Sequence, residues 1–198
     1  MTRELLAASA VDVAPRLLGA VLTHETAEGV VSVRLTEVEA YTGPGTDPGS
    51  HAFRGMTRRN RTMFGEPGHL YTYFTYGMHV CGNIVCSPAG EASAVLLRAG
   101  EIVEGRELAR SRRVTTKRDT DLAQGPARLA VALGLSLADD GADLFRPPFG
   151  LTLAQTVPPA MSSPRTGVSG PGGGADFPWR FYLPGEPTVS PYKRHPKA

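Results

Sequence analysis

The chain has 198 residues, 41% hydrophobic and 20% charged, a balance that fits a folded globular protein and excludes an intrinsically disordered one. That length accommodates one domain, two at most, with a core large enough to stand without disulfide staples. No stretch approaches about 18 uninterrupted apolar residues, so a helical membrane span is excluded. The N-terminal segment MTRELLAASAVDVAPRLLG lacks the apolar run of a secretory signal. Two cysteines, Cys81 and Cys86, are too few for a disulfide framework and stand in no CxxC or HExxH motif. The expectation is a cytoplasmic monomer without metal or cofactor. The absence of GxGxxG and GxxxxGK[ST] argues against a bound nucleotide.

Net charge is only +2, but its placement is uneven. Of 21 cations 18 are arginine, and 10 of the 21 fall in two short windows: Arg54, Arg58, Arg59 and Arg61, then Arg106, Arg110, Arg112, Arg113, Lys117 and Arg118. Such clustering points to polyanion contact, with a solvated charged face as the plainer alternative.

In chain order, residues 11–19 predict a short helix, with Asp12 able to cap it and Gly19 to end it. Residues 20–26 and 30–41 predict two strands joined at Gly29. Strand period puts Val31, Val33, Leu35, Glu37, Glu39 and Tyr41 on one face unless a bulge intervenes. Residues 42–50, TGPGTDPGS, form a turn-rich loop. HLYTYFTY (69–76) reads as a strand with Tyr71 and Tyr73 opposite Leu70, Thr72 and Phe74. A reversal at Tyr76-Gly77-Met78 leads into a second strand over 79–87. A further strand is expected over 92–99 and a helix over 101–113. Pro126 opens a second helix, which Gly134 ends. Residues 162–177 have the composition of a flexible loop, and 177–183 suggests a terminal strand. Irregular alternation with frequent hairpins predicts a single α+β domain, its sheet mixed but mostly antiparallel, with helices around it.

Three features can carry chemistry. Glu37 and Glu39 end an apolar strand, where a carboxylate in a half-dry site can activate water; an isolated glutamate there more often sits on a solvated edge or pairs with Arg34 or Arg98. The five histidines show no helical ligand spacing, which disfavours a metal site. Tyr71, Tyr73 and Tyr76 crowd one hairpin beside an arginine-rich loop. That follows from β propensity alone, or it makes a stacking platform for bases, with Tyr76 at the tip as a wedge.

TEVEAY (36–41), the loop ending at His51, residues 57–83, AVLLRA (94–99), LAQGPARLAVALGL (122–135) and WRFYLPG (179–185) together resemble the alkyladenine (3-methyladenine) DNA glycosylase family. Six blocks in order span most of residues 15–185. The resemblance implies a curved sheet with a protruding, DNA-inserting β-hairpin. It implies hydrolysis of the N-glycosidic bond of alkylated or deaminated purines, such as 3-methyladenine, 7-methylguanine, hypoxanthine or ethenoadenine, flipped out of double-stranded DNA. By position Glu39 becomes the general base, and Arg98 stands near the catalytic water. Tyr41 stacks on one face of the base, with His51 and Tyr73 on the other, and the His51 backbone N–H reaches the base edge. Asn83 excludes the guanine amine. Tyr76 and Met78 enter the duplex, while Arg58, Arg59, Arg61 and Arg128 contact phosphates. Lys117 is the one interior lysine, so water rather than a Schiff-base amine is the expected nucleophile. His79 departs from the family pattern and receives no role. Two other readings remain open: a catalytically silent binder of damaged DNA, and a glycoside hydrolase using Glu37 and Glu39 as its carboxylate pair.

Overall fold

The computed structural model describes residues 3–75 and 77–198. A single sheet of eight strands organises the domain: β1 (Val21–Thr26), β2 (Gly29–Tyr41), β3 (Leu70–Thr75), β4 (His79–Val85), β5 (Ala94–Glu104), β6 (Phe149–Thr152), β7 (Met161–Ser163) and β8 (Arg180–Tyr182). Its order is β3-β4-β5-β2-β1-β6. β8 pairs with β2 at Glu37–Glu39, beyond the point where β1 leaves it, and β7 pairs with β8. The expected α+β class is found, but the sheet is not mixed: each of these pairings is antiparallel.

Three helices, α1 (Ala10–Leu17), α2 (Arg106–Arg112) and α3 (Pro126–Leu133), pack on one face of the sheet. Val13, Ala14 and Leu17 from α1, Ala109 from α2, and Leu129, Ala130 and Leu133 from α3 join Leu22, Val33, Val38, Ile84, Val95 and Leu97 in one apolar core. Each fully buried leucine there contributes about 1.5–3 kcal/mol. Ser9, not Asp12, caps α1, accepting from the Val11 N–H. The expected helix over 101–113 begins late because residues 101–104 continue β5, and Gly105 at φ +71° turns the chain into α2. Gly134 ends α3 in the left-handed conformation, as its position predicts.

The predicted run of one face from Val31 to Tyr41 does not hold. Val31, Val33 and Leu35 face the helical core, and so do Val38 and Ala40, so the alternation changes phase between Leu35 and Val38. The cause is a pair of register shifts. Leu35 and Glu37 oppose the consecutive residues Gly100 and Ala99, leaving Thr36 extra on β2; Glu37 and Val38 then oppose Ala99 and Leu97, leaving Arg98 extra on β5. Each extra residue bulges its strand and re-aims the side chains beyond it. Both strands change phase together, which puts Glu37, Glu39 and Arg98 on the face away from the helices.

On that face Ala52, Met63, Tyr71, Val85, Ala92 and Ala94 form a second, smaller cluster against which Phe64 and Tyr73 pack. Register aligns Tyr71, Asn83, Leu96, Glu39 and Arg180 in a single row across β3, β4, β5, β2 and β8, and residues in such a row share a face. His51, Ser163, Thr166 and Ser190 bring further groups bonded to this row.

A candidate base-binding site and the family it identifies

Tyr41, Gly49, His51, Met63, Tyr71, Tyr73 and Asn83 line a cavity of about 90 Å³. Its aromatic groups are set against one another: His51 meets Tyr73 edge-on at 4.6 Å between ring centroids, and Tyr71 and Tyr73 lie tilted at 5.7 Å. The Tyr71 hydroxyl is 3.1 Å from His51 Nδ1. Burial, reinforced by the Arg59 guanidinium, lowers the imidazole below its ordinary value, so His51 is neutral at pH 7. Burial pushes the Tyr71 phenol up to about 12 and raises Tyr73 as well. Asn83 is buried in the cavity wall and its Nδ2 donates to the Tyr71 carbonyl at 3.0 Å, which fixes how the amide is turned.

Glu39 does not line the cavity. It is fully buried, one hydrogen bond behind it: the Tyr41 hydroxyl donates to its Oε2 at 2.8 Å, Arg98 Nη1 donates to the same oxygen at 3.4 Å, and the Thr166 N–H donates to Oε1 at 2.6 Å. Glu37 is held more densely. Its Oε1 accepts from Arg98 Nε at 2.8 Å, Arg180 Nε at 2.6 Å and Ser190 Oγ at 3.0 Å, and its Oε2 accepts from the Ser190 N–H at 2.7 Å. Burial works to raise the Glu37 carboxyl, but Arg98, Arg180 and Ser190 outweigh it and hold the group below its ordinary range. Burial opposes the charge on Arg98, yet Glu39 and Glu37 prevail and raise it.

The structure thus brings together Glu39, Arg98, Tyr41, His51, Tyr73 and Asn83. It also recruits residues the sequence did not single out. Asn60, 1% exposed, holds the arginine-rich loop by bonding the carbonyls of His51 and Gly55 and the N–H and hydroxyl of Thr57. Arg165 and Thr166 come from the stretch whose composition reads as a flexible loop. Arg165 is fully buried and makes a bidentate ion pair with Asp47 at 2.6 and 2.7 Å. The one hint in the sequence is that Arg165 is the sole charge in the run 162–175.

The β3–β4 hairpin exposes Phe74, Gly77, Met78 and His79, with Met78 68% exposed. Tyr76, the expected wedge, lies outside the described residues. Arg59 ties the loop to this hairpin by donating to the Phe74 carbonyl at 2.9 Å, with its guanidinium 5.7 Å from the Tyr73 ring centre. Among the described residues Arg58, Arg61 and Arg128 are exposed and form no ion pair. The second basic window is largely spoken for within the molecule: Arg106 and Arg110 pair with Asp119, Arg112 with Glu28, and Arg118 with Asp121. Among the described residues no three His, Cys, Asp or Glu side chains gather to hold a metal ion, and no helix is long and apolar enough to cross a membrane.

Residues 4–187 match the family model of methylpurine-DNA glycosylase. The chain belongs to the methylpurine-DNA glycosylase family. Membership places it among the DNA glycosylases, hydrolases of base repair. A relative from Leifsonia xyli, provisionally named 3-methyladenine DNA glycosylase, is 69% identical over 99% of this chain and 94% of its own length. A relative of the same provisional name from Streptomyces avermitilis is 57% identical over 98% and 92%. A third, from Mycobacterium tuberculosis, is 48% identical over 100% and 97%. The methylpurine-DNA glycosylase match spans the paired carboxylates, the aromatic cavity and the hairpin alike.

Proposed function

We propose that the chain hydrolyses the N-glycosidic bond of alkylated or deaminated purines flipped out of double-stranded DNA, with Glu39 as the general base. The observation that carries this reading is the placement of Glu39: a buried carboxylate directly behind the Tyr41 hydroxyl of an aromatic-lined cavity. Flipping costs a few kcal/mol of lost stacking and pairing, and aromatic stacking in the cavity returns about 1–3 kcal/mol per base. Tyr41 takes one face of the purine, His51 and Tyr73 the other. The His51 backbone N–H donates to the base edge, and Asn60 Nδ2 holds the following peptide by donating to the His51 carbonyl at 2.8 Å. Asn83 in the wall meets the 2-amino group of guanine and rejects it.

In the chemical step the oxygen of water bonds to the sugar C1′ and the bond from C1′ to the purine nitrogen breaks, its electron pair leaving on the base. The water's proton passes to Glu39. Arg98 balances the carboxylate's charge without saturating it, at 3.4 Å from Oε2. The Thr166 hydroxyl is buried and without a partner among the described residues, while its own N–H binds Glu39; it supplies a second group able to hold the water. Release without strand cleavage is the expected outcome: exposed Lys117 lines a separate groove with Arg113, Arg118 and Arg128, and Lys193, also exposed, meets Gly167 through its backbone carbonyl. Met78, exposed on the hairpin, fills the gap the base leaves, a role the sequence also gives to Tyr76. Arg58, Arg59, Arg61 and Arg128 contact phosphates and position the enzyme without reading sequence.

The test is single-turnover incubation of the wild-type chain, with EDTA present, on duplexes carrying one hypoxanthine, ethenoadenine or 7-methylguanine. The expected products are the free base and a DNA strand that breaks only on later alkali treatment. Tight lesion binding with no release on any duplex would instead favour the silent binder, and strand cleavage before alkali would defeat the hydrolytic step.

A further inference from the structure

Arg165 is among the largest fully buried side chains of the described residues, and every one of its donors is used. Nε donates to the Gly172 carbonyl, Nη1 to the Ala40 carbonyl and Asp47 Oδ2, and Nη2 to Asp47 Oδ1 and the Gly172 carbonyl. A guanidinium has five N–H donors, so none is left for a substrate. Its faces are packed against rings: the guanidinium carbon lies over Tyr41 at 4.5 Å from the ring centre, and 5.2 and 5.7 Å from Trp179 and Phe177. Arg165 does not line the cavity, whereas Tyr41 does. It also lies behind Gly49, where a side chain's first carbon would come within 2.6 Å of Nη2. The cation therefore packs against the ring of Tyr41 from the protein side, and Tyr41 stands between it and the cavity.

We infer that Arg165 is a positioning residue which, by holding a positive charge against the back of Tyr41, biases the base pocket toward neutral purine lesions and against cationic ones. This rests on the proposed reading of the cavity as the base pocket. A cation draws its binding from the negative face of an aromatic ring, and a ring that already carries one cation is a poorer host for a second on its opposite face. Asp47 does not cancel the effect, since it bonds the edge of the guanidinium while the ring lies against its carbon, and Glu39, which bonds the Tyr41 hydroxyl rather than a face of the ring, has its charge offset by Arg98. Tyr41 itself stays a neutral phenol: burial and the neighbouring Glu39 raise it well above its ordinary value, against the opposing pull of Arg165. Neutral His51 adds no charge on the other side. 3-Methyladenine and 7-methylguanine carry a positive charge while still joined to the sugar, whereas hypoxanthine and ethenoadenine do not. The difference falls on the stacking contact that Tyr41 makes.

The experiment compares single-turnover release from a 7-methylguanine duplex and a hypoxanthine duplex for wild type, Arg165→Met and Arg165→Lys. In Arg165→Met the ratio of cationic to neutral release is expected to rise roughly three- to thirtyfold, the span a cation–π contact corresponds to; Arg165→Lys is expected to return it toward wild type. A merely structural anchor would lower both lesions by the same factor, and that result, or a lysine variant matching methionine, overturns the inference. If Arg165→Met gives no cooperative melt, the wild-type chain decides through inhibition by 9-methylhypoxanthine and by 7,9-dimethylhypoxanthinium, which differ by one methyl group and a charge. The neutral base is expected to inhibit at a severalfold lower concentration; equal or tighter inhibition by the cation overturns the proposal. A wild-type chain that releases neither lesion refutes the glycosylase reading itself, whereas release of both with an unmoved ratio refutes only the role of Arg165.

Discussion

The two ends of the buried charge network are built from the same residue type and behave differently. At one end Glu37 accepts four hydrogen bonds, two of them from separate guanidinium groups, and is locked below its ordinary protonation range. At the other end Glu39 accepts three, of which the guanidinium contact is the longest at 3.4 Å, and its Tyr41 partner opens on the cavity. A carboxylate clamped by two cations is a poor proton acceptor, whereas the two short bonds to Glu39 come from a phenol and a backbone amide. Arg98 joins the two: its Nε serves Glu37 and its Nη1 reaches Glu39, so the first carboxylate anchors the guanidinium that steadies the second.

Substitutions can break this contrast, and the largest effect is expected at Glu39. Glu39→Gln keeps an acceptor for the Tyr41 hydroxyl, so affinity for lesion duplex measured by gel shift should persist. Base release should fall about 10²–10⁴-fold, the usual span of general-base catalysis. Glu37→Gln strikes stability first. Removing one partner of a buried ion network costs about 3–5 kcal/mol, visible as an earlier urea midpoint. The pH dependence has a definite sign. The folded Glu37 carboxyl binds its proton more weakly than the unfolded one, so its stabilisation is fully present above about pH 4.3 and is lost as pH falls through the lowered folded value. Glu37→Gln should flatten that acid-side loss, which urea titrations from pH 7 downward will detect.

Smaller effects sharpen the picture away from the carboxylates. Asn83→Ala should raise excision of undamaged guanine about tenfold, within the 1–3 kcal/mol span of pocket discrimination, as scored by release from a lesion-free duplex. Met78→Ala should weaken lesion-duplex affinity severalfold while the melting transition stays put, because an exposed side chain away from other contacts changes stability by at most about 0.5 kcal/mol.

Much of this arrangement was legible in the sequence, and the failures share a cause. The TEVEAY strand, the tyrosine hairpin, Pro126 and Gly134 follow local rules, and the structure follows them. What local rules could not supply was the phase of β2. The bulge at Thr36 is matched by one at Arg98 on β5, so which face Glu37 and Glu39 take is decided by a partner more than fifty residues away. Asp47 sits in a loop whose composition speaks only of turns, yet it is fully buried because Arg165 arrives from 118 positions later to pair with it. Arg165 in turn is surrounded by Gly, Pro and Ser, and its burial depends on carbonyls and rings from Ala40, Gly172, Tyr41 and Trp179. In the second basic window Arg110, Arg112 and Arg118 pair with Asp119, Glu28 and Asp121, partners that the clustering of the arginines does not announce.

The most direct test of the division of labour between the two carboxylates is single-turnover base release by Glu37→Gln and Glu39→Gln side by side, on one hypoxanthine duplex at saturating protein, normalised to the folded fraction of each. The account predicts that Glu37→Gln retains far more release per folded molecule than Glu39→Gln. Equal losses, or the opposite order, would contradict the assignment of Glu39 as the base.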